Sequence, residues 1–114
     1  MSEANALAST ILDAIDEPAL IVRGGRIASA NRAAQDLLGS SIVGRDLRFA
    51  IRHPLALETI QAGRAADVEL IGIGSAERPW QLSVRPVPGG ALIRLSDRSA
   101  LRAAERMRTD FVAN

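Results

Sequence analysis

The sequence predicts an α+β fold: one five-stranded antiparallel sheet covered by short helices, with a further helix flanking it at each end. Three observations carry this. Apolar residues recur at helical spacing near both termini, five short segments read as strands, and several short helical segments separate the second strand from the third.

From the start, residues 2–15 place Leu7, Ile11 and Ala14 or Ile15 on one helical face, and Asp16-Glu17-Pro18 ends that helix. Ala19-Leu20-Ile21-Val22 and Arg26-Ile27-Ala28-Ser29-Ala30 flank a Gly24-Gly25 pair, which predicts a hairpin. Asn31 reads as an N-cap for a helix whose apolar face is Ala33, Ala34, Leu37 and Leu38, and Gly39 suits the left-handed position that closes such a helix. A short helical turn follows from Gly44-Arg45-Asp46 through Leu47 and Ile51. His53-Pro54 then starts a helix expected to bury Leu57 and Ile60, with Leu55 or Ala56, before Gly63.

The second half changes period. Asp67-Val68-Glu69-Leu70, the run from Trp80 to Arg85, and the run from Ala91 to Ser96 alternate as strands with one buried face. Residues 72–78 form a turn region, and Gly89-Gly90 a tight turn. From Asp97 the helical spacing returns with Leu101, Ala104, Met107 or Arg108, and Phe111.

A chain of 114 residues accommodates one domain. Hydrophobic residues are 47% of it and aromatic ones only 3%, so the core must be aliphatic. The net charge of +1 and the dispersed arginines give no field for nucleic acid, and none is expected as a partner. With no Cys, disulfides, thiolate metal sites and cysteine nucleophiles are excluded. The segment lacks a signal peptide and any apolar run near the roughly 20 residues that span a bilayer, so it reads as cytoplasmic without membrane contact of its own, while a parent protein could carry a membrane anchor elsewhere.

Ile27 to Gly39, in which a strand runs into an Asn-capped helix ending in Gly, resembles the corresponding stretch of PAS sensor domains. Val43-Gly44-Arg45 is similar to the turn that follows in that family. Asp97 with Ser99 resembles the Asp-x-Thr junction that couples a PAS sheet to its output helix, Ser replacing the commoner Thr. Arg106 to Asn114 resembles the segment leading into the dimerisation helix of sensor histidine kinases of the phosphate-responsive type. The resemblance implies a PAS-like fold in three parts: a flanking helix over 1–16, a PAS core over 17–97, and a signalling helix over 98–114 leading toward a kinase dimerisation domain. It implies a regulatory, non-enzymatic segment, cut before the phospho-acceptor His and acting as a homodimer. Kinase dimerisation and catalytic domains, and through them a response regulator, are its implied partners.

The candidate residues follow. Asp97 and Ser99 form the signal junction, and Leu7, Ile11, Leu101, Ala104 and Phe111 form the dimer helices, at the three-and-four spacing of a coiled-coil seam. Leu37, Leu57, Ile60, Leu82, Val84 and Ile93 surround any cavity, although a filled core is equally compatible with them. No cofactor is expected. A small apolar ligand and a haem held by His53, against His53 as a simple helix-start residue, stand as alternatives, as does a scaffold that binds a partner protein on its sheet with no ligand inside. Adduct-forming flavin is excluded by the lack of Cys, and two Phe and one Trp hardly supply stacking for a non-covalent one. No G-x-S-x-G elbow appears, and Gly72-x-Gly74 reads as a turn rather than a phosphate loop. Trp80 fits either core packing or a ligand or dimer contact, and Asp67 with Glu69 marks a solvated strand face.

Overall fold

The period-2 segments pair into one antiparallel sheet. The computed structural model describes residues 3–74 and 77–113, and the side chains of residues 6–74 and 77–109. Its elements are α1 (Glu3–Asp13), β1 (Ala19–Arg23), β2 (Arg26–Ala30), α2 (Arg32–Leu38), α3 (Leu47–Ala50), α4 (Pro54–Gln61), β3 (Ala66–Ile71), β4 (Pro79–Val87), β5 (Gly90–Asp97) and α5 (Ser99–Ala113). The sheet order is β2-β1-β5-β4-β3. The predicted five-stranded α+β architecture is the observed one.

Register gives the sheet two unlike faces. Leu20 lies opposite Ile93, which lies opposite Val84, and Leu95 lies opposite Leu82. These residues join Val22, Ile27, Leu70 and Trp80 in a core completed by Ala34, Ile42, Leu47, Ile51, Ala56, Ile60 and Ile73 from the helical layer. The other face carries Asp67, Ser83 and Arg94 in one row, and Arg85, Leu92, Ile21 and Ser29 in the next. Leu57 is only partly buried; in α4 it is Ala56 and Ile60 that go in. Leu37 and Leu38 likewise pack against the core without being sealed by it.

Helix α1 packs against β2 through a face other than the Leu7/Ile11 stripe. Leu12 is 2% exposed, whereas Leu7 and Ile11 are 61% and 56% exposed. Ala8, one turn before Leu12, is half-buried on the same face. The last three residues of β2, Ala28, Ser29 and Ala30, have small side chains, so one large residue fills the contact and the Leu7/Ile11 stripe is left outward.

Asn31 fixes this arrangement. Its Oδ1 accepts from the Ala34 N–H at 2.9 Å, the predicted cap, and also from the Ala19 N–H at 3.0 Å. Its Nδ2 donates to the carbonyls of Leu12, Ile15 and Glu17 at 3.1, 2.9 and 2.8 Å. Gly39 closes α2, but with φ 133° and ψ 144°, not in the left-handed helical conformation. That extended, positive-φ region is open essentially to Gly alone.

Asn31→Asp separates the cap from the other contacts, because Asp caps a helix as well as Asn does. It keeps the acceptor and loses both donors. The variant is expected to lose about 3 kcal/mol in urea unfolding, since each buried polar group left unmatched costs about 1–3 kcal/mol. Amide exchange in α1 should accelerate first; a variant as stable as the parent would refute this role.

Candidate functional site

Strand β5 passes from the core into an exposed helix within three residues. Leu95 is buried, and its N–H donates to the Pro18 carbonyl at 2.9 Å. Asp97 lies opposite Trp80 at the end of the ladder. The Arg98 N–H donates to the Pro79 carbonyl at 2.8 Å, which carries the pairing one residue further. The Asp97 Oδ1 then accepts the Ser99 N–H at 2.8 Å, satisfying a backbone donor at the start of α5. Hydrogen bonding from Ser99, side chain first and backbone next, holds the Asp97 carboxyl below its ordinary value, and Arg78, whose guanidinium lies 3.6 Å away, adds to this. In the second turn of α5, the Arg102 Nε donates to the Glu69 Oε1 of β3 at 2.6 Å. Asp67, the other carboxylate on that strand face, pairs with Arg85 at 3.0 Å, which likewise lowers its pKa.

Beyond this junction α5 leaves the domain. Every side chain over residues 99–109 is exposed, Leu101 and Met107 at 42% and 73% among them. The long axis of the molecule is 60 Å, against 26 and 24 Å across. A 15-residue helix accounts for about 22 Å of such a length. Leu101 and Ala104 are therefore exposed on a projecting rod; the side chain of Phe111 lies outside the described residues. Leu7 and Ile11 form a second exposed stripe on α1.

The expected pocket residues do not gather around one groove. Leu82, Val84 and Ile93 are sealed in the core, with Leu37 and Leu57 packed against it. Ile60 instead lines an open groove of about 450 Å³ with Val22, Leu47, the turn glycines Gly24 and Gly25, and Gly90 and Ala91 at the start of β5. His53 is the N-cap of α4, its Nδ1 accepting the Ala56 N–H at 3.4 Å, and it borders a smaller groove with Ile51 and Ile73. Trp80 is core, yet its buried indole N–H has no hydrogen-bond partner among the described residues. No group of three or more His, Cys, Asp or Glu residues suited to a metal occurs among them, and no described helix is long and apolar enough to cross a membrane.

A sheet with one face under short helices and its last strand continued by a projecting helix defines a class of sensory domain. A family model described as a PAS domain matches residues 7–71, more than half of the 114. The chain belongs to the PAS domain family. Among solved structures it is similar to a LOV protein of Rhodobacter sphaeroides, with TM-score 0.63, 18% identity, and coverage of 84% of this chain and 68% of that one. It is also similar to the PAS domain of a LuxR-family transcriptional regulator from Burkholderia thailandensis, solved in complex with ethanol, with TM-score 0.51, 12% identity, and coverage of 77% and 94%. No curated protein matches. At these identities the structural likeness concerns the fold.

Sequence reasoning missed the Glu69–Arg102 tie, because nothing local announces a contact 33 residues apart. The only available signal was the placement of Glu69 on the solvated face of its strand.

The Asp97 carboxyl predicts a pH response of definite sign. A carboxyl held below its ordinary value of 3.8 stabilises the fold above that value and loses the contribution as pH falls through its lower, folded value. The Ser99 amide signal in NMR is therefore expected to titrate with a midpoint below 3.8. Asp97→Asn should abolish that titration; a midpoint above the ordinary value would contradict the assignment.

Proposed function

We propose that this PAS domain is the sensory and dimerisation module of a bacterial two-component histidine kinase, relaying its state through α5 to the kinase. The observation that carries the reading is the exposed Leu101/Ala104 stripe on a helix continuous with the last strand of the sheet. An apolar stripe at three-and-four spacing without a partner in its own domain suits a parallel pair. The likeness of residues 106–114 to the segment before a kinase dimerisation helix supports the same reading. The chain then performs no catalysis, and the phosphoryl chemistry belongs to the kinase and its response regulator. Asp97 and Ser99 are the junction, Leu7 and Ile11 add to the dimer surface, and the domain works in the cytoplasm. Removing residues 98–114 is expected to lower the dimer fraction in sedimentation velocity; an unchanged dimer would count against the relay.

A second reading, a module for a small amphipathic ligand, is favoured by the buried indole N–H of Trp80, a donor with no described partner in an otherwise aliphatic core. Native mass spectrometry is expected on that reading to show a co-purified ligand, with Trp80→Phe reducing its occupancy. A ligand-free spectrum from freshly purified protein would oppose it.

A further inference from the structure

We infer that the Glu69–Arg102 pair is a latch that sets the angle at which α5 leaves the domain, making the edge strand β3 a second input to the relay. This deepens the reading above and rests on it.

The argument is one of scale. Helix α5 buries none of its described side chains beyond the junction, Leu101 remaining 42% exposed, so no sealed hydrophobic contact fixes its direction. What fixes it is polar and lies within the first two turns. Covalent continuity with β5, the Arg98 N–H to the Pro79 carbonyl, and the Asp97 carboxylate on the Ser99 N–H all act at one point, the pivot. Three ties at a pivot define where a rod starts but leave its swing open. Arg102 is the first residue past the pivot with a described side-chain bond to another element, and its partner is on β3, two strands away from β5 in the sheet. A tie off the pivot is what restrains a swing. Both side chains are part-exposed, 47% for Arg102 and 37% for Glu69, so the pair is weak enough to open. Beside it lies an open groove lined by Ile71 and Pro79 from the sheet and Ser99, Ala103 and Arg106 from the helix. Beyond the pivot the described tie between helix and sheet is thus a charge pair, not a sealed apolar interface.

The chain lacks Cys, so spin labels enter cleanly through Glu58→Cys on α4 and Glu105→Cys on α5. Labelled chain is diluted into excess unlabelled chain, so that electron–electron resonance reads distances within one chain. One dominant distance is expected at low salt. Glu69→Gln and Arg102→Gln should each raise the population of displaced distances about two- to fivefold, the factor an exposed ion pair contributes. About 1 M salt, with a screening length of about 3 Å, should do the same to the parent and little further to the variants. Arg102→Lys keeps the charge and should stay near the parent, and Arg106→Gln, which removes a neighbouring charge, should leave the distances unchanged. Unaltered distances in both Gln variants, or an equal shift in Arg106→Gln, would overturn the latch. A monomeric protein would sink the relay reading and leave this measurement standing.

Discussion

Asn31 is 1% exposed, and a carboxamide at that depth must match two N–H groups and an oxygen or destabilise the fold. It matches all of them, and the choice of partners organises the N-terminal half. The oxygen serves one donor in α2 and one in β1, while the two N–H groups are shared among three carbonyls in and after the last turn of α1. The Leu12 carbonyl belongs to the last turn of α1, and those of Ile15 and Glu17 lie on the segment that leads from it to β1. One side chain therefore ends one helix, starts another, and aligns the first strand between them. The Asn31 N–H also pairs with the Ala19 carbonyl, so backbone and side chain close on the same strand.

With α1 pinned, the sheet separates two energy scales. Its inner face is an aliphatic core in which each fully buried Leu, Ile or Val contributes about 1.5–3 kcal/mol. Toward β3 its outer face is held by exposed ion pairs, Asp67 with Arg85 and Glu69 with Arg102, of a kind worth about 0–1 kcal/mol each. Folding is decided on the first face and the attitude of α5 on the second. A relay needs this inequality: an element must change position at a cost too small to unfold the domain, and such elements come from the low-stability end of a structure.

The strand pattern, the N-cap at Asn31 and the order of elements were legible in the sequence because each depends on residues within a few positions. What was not legible depends on distance along the chain. The cap role of Asn31 is an i to i+3 signal, whereas its bonds to Leu12, Ile15 and Glu17 span 14–19 residues. The stripe of Leu7 and Ile11 has the stronger periodicity in α1, yet Leu12 is the residue that docks, because small β2 side chains leave room for one large neighbour. Strand β4 continues past Arg85 through Pro86 to Val87. A proline would ordinarily break a central strand, but β3 pairs only as far as Val84, so Pro86 sits where one side of β4 is already an edge. Of the candidate site, Asp97 and Ser99 came from a local motif, whereas Glu69 and Arg102 meet only once the sheet is assembled.

Three adjacent strands converge on the start of α5, each by a different kind of bond. Strand β5 continues into it covalently, β4 holds it through the Pro79 carbonyl, and β3 holds it through Glu69. The strengths fall in that order: a covalent chain, a backbone hydrogen bond of about 1 kcal/mol net, and an ion pair usually below that. A shear that moves β4 and β5 together leaves the first two ties intact and is felt by the third. Sliding of β3 against β4 is therefore the deformation that α5 would register first. The register that resists it is the six-residue ladder from Ala66 opposite Val84 to Ile71 opposite Pro79. That ladder has Leu70 and Trp80 in the core and the two paired carboxylates, Asp67 and Glu69, on the outside, so repacking around Leu70 or Trp80 acts on the same backbone that carries Glu69.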